Sequence, residues 1–242
     1  MTTFDDKIYP FTTENIKGYL GKIEPKDKTV LTVGSSGDQA LNALLLGAKE
    51  VTVFDISYFA QRFINEKIEM ILKYSREELY RRITEQNEYQ VCALEDQGPF
   101  NTLKHDCNYL ENDEQYKKLQ DILANAKINF IRGDIYEMDS YLTDEVYDRI
   151  LLSNVLDYTK KYCFLTCSFE WLIQHAFEQW KHHLSEDGII QIMYLYSYEV
   201  SKSLAYEVMH ALEEYMGSFY MYNINQKDNG DKTAIITYEK SK

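Results

Sequence analysis

The sequence predicts a doubly wound α/β fold with a mainly parallel, Rossmann-like sheet of seven strands. Segments of strand character alternate with segments of helical character, which is typical of a parallel sheet covered by helices on both faces. A glycine turn follows the first of these strands, and an acidic residue ends the second. The first four strand segments are the apolar or β-branched runs at 29–33, 50–54, 128–131 and 148–152.

The first βαβ unit is compact. Strand 29–33 ends at Gly34, and residues 38–47 carry the apolar density of a buried helix with Gly47 near its end. Strand 50–54 then ends at Asp55. This order places a glycine loop and a carboxylate at the carboxyl ends of neighbouring strands, where open α/β sheets bind ligands.

The connection between strands two and three is longer than a crossover requires. Residues 57–88 have helical composition, residues 89–112 read as irregular, and residues 113–126 read as helical again. We interpret 76–126 as a helical insertion within a single domain that spans 1–242, with either a substrate-binding or a scaffold role.

The last third of the chain completes the pattern and adds an antiparallel ending. Asp187-Gly188 turns the chain into the fifth strand, and Asn229-Gly230 is a hairpin signal. The predicted elements are helices over 164–183 and 199–216, a strand over 189–194, and hairpin strands over 218–225 and 232–239.

Composition restricts the function classes. The chain has 26 Lys and Arg against 39 Asp and Glu, a net charge of −13. An acidic surface repels phosphate backbones and anionic leaflets, so we expect no nucleic-acid partner. No run of 18 apolar residues predicts a transmembrane segment, and the first residues do not read as a signal peptide. Together with only four cysteines, this favours a cytoplasmic protein.

The glycine loop and the acid after strand two are the first candidate site. Gly34-Ser35-Ser36-Gly37 allows close backbone approach to a ligand, although the loop is not GxGxxG and an ordinary turn is the alternative. Asp38 is either a ligand contact or a cap of the next helix. Asp55 lies 21 residues beyond Gly34 (55 − 34), the spacing at which a carboxylate accepts the hydroxyls of a ribose.

Two further positions follow strands three and four. Asp134 can accept a hydrogen bond from an adenine amine, with Ile135 against the ring, or it caps the next helix. Asn154 sits where a transferred group would be presented and can position a substrate; Ser153 and Asn154 are also good helix caps.

The sequence predicts no metal site. Cys163 and Cys167 are four residues apart but lack a histidine pair at zinc-binding spacing, so we interpret them as buried thiols. His182 and His183 precede a turn, and we expect them to be surface residues near a helix end.

As an ordered set, these motifs resemble those of class I S-adenosylmethionine-dependent methyltransferases. VLTVGSSGDQALNALLLGAKEVTVFDIS is similar to their first two motifs, and RGDIY and YDRILLSNVLDY to the third and fourth. The resemblance implies S-adenosyl-L-methionine as cofactor, a transferase activity and a pocket beyond the strand ends. The implied cofactor contacts are Gly34, Ser35, Ser36, Gly37, Asp38, Asp55, Ile56, Asp134, Ile135, Ser153 and Asn154.

A narrower likeness leaves the reaction open. SSGDQALNALL, FDIS and LSN are similar to segments of betaine-lipid-synthase-type 3-amino-3-carboxypropyltransferases, which use the same cofactor. We expect a methyltransferase acting on a small-molecule or lipid-like acceptor. The alternatives are aminocarboxypropyl transfer and a non-catalytic cofactor-binding module. Because the cofactor's sulfonium is already activated, positioning suffices and no general base is identified. The oligomeric state is left open.

Overall fold

A computed structural model describes residues 7–12, 14–85, 90–91, 107–156, 168–195, 198–225 and 232–240. The chain forms two compact units, Met1–Gly133 and Asp134–Lys242. Each unit contributes part of an α/β fold, and a single domain over 1–242 stays a prediction.

The described residues of the first unit form five strands and five α-helices. The strands are β1 (Lys7–Ile8), β2 (Thr29–Val33), β3 (Glu50–Asp55), β4 (Gln90–Val91) and β5 (Ile128–Arg132). The helices are α1 (Ile16–Ile23), α2 (Asp38–Leu45), α3 (Tyr58–Lys73), α4 (Arg76–Glu85) and α5 (Asp113–Leu123). A short 3-10 helix, Asn108–Leu110, precedes α5.

The central ladder of this unit is parallel. β3 lies between β2 and β5, with Val30 opposite Val51 and Val51 opposite Ile128. The middle residues of β2 and β3 are buried, as expected for parallel strands covered on both faces. The three strands therefore end at one edge, and this edge carries Gly34 and Asp55.

Two helical regions differ in detail from their prediction. All eight residues of α2 are buried, including the polar Asp38, Gln39 and Asn42, and the helix ends at Leu45, before the predicted end at residue 47. The predicted helical stretch 57–88 is two helices in the described part, because the chain leaves helical geometry at Tyr74. Ser75 directly precedes α4, and its Oγ accepts the Glu78 backbone N–H at 3.3 Å.

In the part of the second unit that the structure describes, there are four strands and two α-helices. They are β6 (Tyr147–Leu151), β7 (Leu184–Leu195), β8 (Phe219–Asn225), β9 (Lys232–Glu239), α6 (Phe169–His182) and α7 (Tyr198–Ala211). The strand order is β6-β7-β9-β8, with β6 parallel to β7 and both β9 pairings antiparallel. The predicted antiparallel C-terminal hairpin is confirmed.

β7 begins earlier than the sequence suggests. It starts at Leu184, not at residue 189, because Tyr147 of β6 pairs with Leu184 before a register shift. The polar segment that follows Leu184 looks like a turn in the sequence, but it continues the strand. Trp180 and Phe177 of α6 are fully buried and form the core of this unit with Ile190 and Ile192.

The two ladders contain three and four strands, and their union in one seven-stranded sheet stays a prediction. The described part of the predicted insertion 76–126 contains α4, the short strand β4, the 3-10 helix Asn108–Leu110 and α5. Residues 86–89 and 92–106 of it lie outside the described residues. Among the described helices, none has the length and apolar character needed to cross a bilayer.

Candidate functional site

Asp55 connects the loops that follow β2 and β3. Its Oδ2 accepts the Ser35 backbone N–H at 2.9 Å, and its Oδ1 accepts the Ser57 backbone N–H at 2.7 Å. The side chain is half-buried at the end of β3. Backbone donors on both oxygens fix the carboxylate at the strand edge, where the sequence predicted a ribose-binding acid.

Gly34 is required by the close approach of this carboxylate. A Cβ atom on Gly34 would lie 2.5 Å from Oδ2 of Asp55 and 2.9 Å from its Cβ. No side chain larger than hydrogen fits without moving Asp55. The sequence pattern of a glycine after β2 and an acid after β3 therefore reflects one packed contact.

The rest of the loop has unusual backbone geometry. Ser35 has φ of 43° and Gly37 has φ of 76°, both in the left-handed region. For a serine this conformation costs about 1–2 kcal/mol, and such costs are characteristic of ligand-binding loops. Gly37 is the N-cap of α2, and a Cβ there would lie 2.8 Å from Cγ1 of Ile64.

Asp38 lies in a buried polar cluster. Its side chain is fully buried; Oδ2 accepts the Thr12 backbone N–H at 2.6 Å, and Oδ1 accepts the Tyr109 hydroxyl at 2.5 Å. Burial, with the Asp38 carboxylate next to it, raises the pKa of Tyr109 well above its ordinary value, so the phenol stays a donor. Asp38 is the first residue of α2 and not its cap, which differs from the predicted alternative. Its carboxylate is fully buried, and both of its oxygens accept hydrogen bonds from within the unit.

Lys67 of α3 supplies the positive charge of this cluster. It is fully buried, and its Nζ lies 2.5 Å from Oδ1 of Asp38. The ammonium also donates to the carbonyls of Pro10 at 2.9 Å and Ser36 at 3.0 Å. All three ammonium donors thus have acceptors. The Phe11 ring lies 4.6 Å from Nζ and adds a cation–π contact.

A second buried network lies beside the first. The Gln39 amide donates to Glu14 at 2.9 Å and to the Tyr19 hydroxyl at 2.7 Å. Oε1 of Gln39 accepts the Thr32 hydroxyl at 2.6 Å. This network ties the chain before α1 to β2 and α2. The loop after β2 is therefore supported by buried polar contacts on the side away from the strand edge.

The surface next to Asp55 is apolar and exposed. Ile56 is 51% exposed and Tyr58 is 65% exposed, high values for large hydrophobic side chains. Ser36, in contrast, is buried, and its Oγ accepts the Asp38 backbone N–H at 3.3 Å. Exposed apolar side chains beside an ordered carboxylate are suited to a ligand with a flat ring and a sugar.

In the second unit, Asp134 begins the 3-10 helix Ile135–Ser140. Its Oδ1 accepts the Tyr136 backbone N–H at 3.0 Å, so the helix-capping alternative is realised. Ile135 is 8% exposed, and its carbonyl accepts the Trp180 indole N–H at 2.7 Å. The half-buried Asp134 side chain is held at the start of this segment.

Ser153 and Asn154 follow β6 in a turn that is fixed by β7. Ser153 has φ of 58°, and its N–H donates to Oε1 of the buried Gln191 at 3.0 Å. Its Oγ donates to Oδ1 of Asn154 at 3.2 Å. The backbone N–H of Tyr194 donates to the Ser153 carbonyl at 2.9 Å. Like Ser35, Ser153 is a left-handed serine directly beyond a parallel strand.

Sequence reasoning missed the residues that hold these loops. Lys67, Tyr109 and Gln191 are buried polar side chains with no recognisable motif. One signal was present for Lys67, which shares a helical face with Phe63 and Ile71 and is a charge on an otherwise apolar stripe. Cys163 and Cys167 lie outside the described residues.

The expectation for the histidine pair is corrected in part. His182 is exposed as predicted, but His183 is only 1% exposed. His183 ends α6 at the start of β7, and its Nδ1 lies 2.8 Å from the Glu145 carbonyl. His183 is buried because β7 begins at the next residue, Leu184.

Known proteins resemble this chain in fold. No protein-family model and no curated protein sequence matches it. The N-methyltransferase NodS from Bradyrhizobium japonicum WM9, solved with S-adenosyl-L-homocysteine, has a TM-score of 0.50 at 11% identity, covering 93% of this chain and 83% of its own. A methyltransferase from Pyrococcus furiosus has a TM-score of 0.52 at 14% identity, covering 94% and 83%.

A third structure is also similar. The glycopeptide N-methyltransferase MtfA, complexed with S-adenosyl-L-homocysteine, has a TM-score of 0.51 at 10% identity and covers 96% of this chain and 92% of its own. Identities this low establish the fold alone. The chain has the α/β fold of these methyltransferases.

Proposed function

We propose that this chain is an S-adenosylmethionine-dependent methyltransferase that acts on a small-molecule acceptor. The observation that carries the proposal is the contact between Asp55 and the loop after β2. A carboxylate at the end of β3 and a glycine turn at the end of β2 lie within hydrogen-bond distance, at the edge where α/β sheets bind ligands.

Asp55 is the proposed ribose acceptor. Each of its oxygens accepts one backbone N–H, and a carboxylate offers about four acceptor positions in total. A carboxylate at the end of this strand is placed to accept the two vicinal hydroxyls of a ribose. Backbone donors on the far side hold the carboxylate in place before the ligand arrives, which reduces the ordering cost of binding.

The adenine ring is assigned to the exposed apolar surface after β3. Ile56 is 51% exposed beside Asp55, and a ring packed on it would cover this surface. Asp134 and Ile135 are the proposed contacts of the adenine amine and ring edge. Gly34, Ser35, Ser36 and Gly37 form the proposed backbone cradle, while Asp38 supports that cradle from inside and is not proposed as a ligand contact.

Ser153 and Asn154 are proposed to face the reactive end of the cofactor. Ser153 is held by Gln191 of β7, and Asn154 is held by the Ser153 hydroxyl. The cofactor supplies an electrophilic sulfonium-bound methyl group when it is bound. The residues of this chain have to orient the acceptor nucleophile along the sulfur–methyl axis and to exclude water.

A small-molecule acceptor agrees with the charge of the chain. At a net charge of −13, long-range repulsion opposes polyanions such as RNA and anionic lipid surfaces. Aminocarboxypropyl transfer from the same cofactor is the remaining chemical alternative, and its products are different.

A product assay tests the proposal. The protein is incubated with S-adenosylmethionine and a panel of amine, hydroxyl and thiol acceptors, and the nucleoside product is identified by mass spectrometry. Methyl transfer releases S-adenosylhomocysteine, whereas aminocarboxypropyl transfer releases methylthioadenosine. A thermal-shift comparison with NAD is the matched binding control: stabilisation by NAD and not by S-adenosylmethionine would contradict the proposal.

A further inference from the structure

A cluster of two histidines and one aspartate lies in the second unit, away from the loop that follows β6. Asp139, His182 and His183 place one ligand atom each within 4.8 Å of one another. His183 directly precedes β7, and the Asp139 segment precedes β6. Since β6 and β7 are parallel, the cluster belongs to their amino ends, whereas Ser153 and Asn154 follow the carboxyl end of β6.

The buried histidine presents a nitrogen that lacks a hydrogen bond. Nε2 of His183 is the one buried side-chain nitrogen or oxygen in the described residues with no hydrogen-bond partner. It lies 2.9 Å from Oδ1 of Asp139, so the two atoms are close but the contact does not have hydrogen-bond geometry. A buried polar atom without a partner costs about 1–3 kcal/mol.

The partner of the other ring nitrogen, Nδ1, determines which tautomer the neutral His183 ring adopts. Nδ1 of His183 lies 2.8 Å from the Glu145 backbone carbonyl, which only accepts hydrogen bonds. Nδ1 must therefore carry a proton, and Nε2 of the neutral ring has a lone pair close to the Asp139 oxygen but not aimed at it. Two acceptor atoms 2.9 Å apart repel each other, and a cation bound beside both of them would relieve this repulsion. A backbone carbonyl behind a ligating imidazole is the usual arrangement in metal sites.

The third group completes a ligand set. Nδ1 of His182 lies 3.1 Å from the same Asp139 oxygen. Tetrahedral zinc with bonds of roughly 2.0–2.1 Å separates its ligand atoms by about 3.3 Å. The two distances from Asp139 to the histidine nitrogens are therefore within a few tenths of an ångström of this value, and the three ligand atoms lie within 4.8 Å of one another. We propose that Asp139, His182 and His183 bind a divalent transition-metal ion of the Zn²⁺ type, with water in the fourth position.

The surroundings of the cluster hold the Asp139 segment in place and leave the cluster open to a surface pocket. The Asp139 backbone N–H donates to Oε1 of Gln179 at 3.0 Å, which ties the segment to α6. Asp139 and His182 line an open surface pocket of about 530 Å³ that also contains the carboxylates of Glu178 and Glu214. Negative charge around an open entry favours a cation. The ion joins the 3-10 segment to the end of α6, so its role is structural, and it is independent of the proposed transfer reaction.

Zinc titration of the tag-free, chelator-treated protein tests this site. Calorimetry measures stoichiometry and affinity for the unsubstituted protein and for His182→Ala, Asp139→Asn and His210→Ala. His182 is 65% exposed, so its replacement leaves the core intact. His210 is the matched control, an exposed histidine 3.3 Å from Glu213 and outside the cluster.

The expected result is one tight Zn²⁺ per chain in the unsubstituted protein and in His210→Ala. Affinity falls on the order of tenfold or more in His182→Ala and in Asp139→Asn, and Zn²⁺ no longer raises their Tm. Absence of zinc binding by the unsubstituted protein overturns the proposal. Equal affinity in all four proteins also overturns it.

Discussion

Lys67 and Asp38 form an ion pair of 2.5 Å in which neither side chain is exposed to solvent. The pair connects α3 with the first residue of α2 directly below the loop after β2. Through the Ser36 carbonyl, the same ammonium holds the loop itself at 3.0 Å. The stability of the first unit and the shape of the proposed cofactor loop therefore depend on one buried charge.

Replacing Lys67 by methionine tests this dependence. The substitution keeps the length and the apolar contacts of the side chain but leaves the Asp38 carboxylate buried without its counter-ion. Breaking a buried pair in this way costs about 3–5 kcal/mol, and urea denaturation measures it as a lower midpoint.

The exposed pair Lys117–Asp121, at 3.0 Å, offers the matched control. Lys117→Met is expected to change the free energy of unfolding by about 1 kcal/mol or less. If Lys67→Met and Lys117→Met had equally small effects, the buried cluster would not support the loop.

The hydroxyl of Tyr109 makes a separate contribution. Its removal in Tyr109→Phe takes away the donor at 2.5 Å from Asp38, and the expected loss is about 1–3 kcal/mol at neutral pH. Burial, and next the Asp38 charge, raise the pKa of Tyr109 well above 10.0. The unfolded chain therefore ionises this tyrosine first as the pH rises.

This difference in pKa gives a pH dependence with a defined sign. The stabilisation by Tyr109 is complete below the unfolded pKa of about 10 and declines as the pH rises above it. Denaturation of both proteins at about pH 9 and about pH 11 should show the advantage over Tyr109→Phe shrinking at the higher pH. A constant difference across this range would mean that the hydroxyl ionises equally in both states.

Gly34→Ala tests whether the geometry of the loop after β2 affects ligand binding beyond its effect on stability. Its Cβ would lie 2.5 Å from Oδ2 of Asp55, so the carboxylate must move and its bond to Ser35 must weaken. We expect weaker binding of S-adenosylhomocysteine by calorimetry, together with a stability loss of about 1–3 kcal/mol.

Gly21 provides the control for this substitution. It lies in α1, and a Cβ there meets nothing within 4 Å. Gly21→Ala should stabilise the chain by up to about 1 kcal/mol and leave ligand affinity unchanged. Unaltered affinity in a folded Gly34→Ala protein would show that the Asp55 position does not matter for binding.

The sequence predicted the elements whose signals are local. The strand 29–33 and the hairpin strand 232–239 have the predicted bounds, because apolar runs with turn residues at their ends are visible within a few positions. Gly34 and Asp55 were recognisable for the same reason, since each directly ends a strand. The break of helix 57–88 at Tyr74 was not recognised, because Ser75 is only one of many polar residues in that stretch.

Features that depend on contacts between residues far apart in the sequence could not be predicted from local patterns. The partners of Asp38 are Lys67, 29 positions away, and Tyr109, 71 positions away, so its burial has no local signal. His183 looked like a surface residue because it follows a helix and precedes polar residues. Its burial follows from the pairing of Tyr147 with Leu184, a contact across 37 positions (184 − 147) that only the fold reveals.

The proposed role of the Asp55 carboxylate is to bind the ribose of an adenosyl cofactor. Calorimetry with S-adenosylhomocysteine compares the unsubstituted protein, Asp55→Ala and Glu50→Ala, in which the removed acid is at the opposite end of the same strand. A lost charged acceptor of about 1.5–3 kcal/mol predicts affinity about ten- to hundredfold weaker in Asp55→Ala and unchanged in Glu50→Ala. Equal affinity in the folded Asp55→Ala protein would contradict the account.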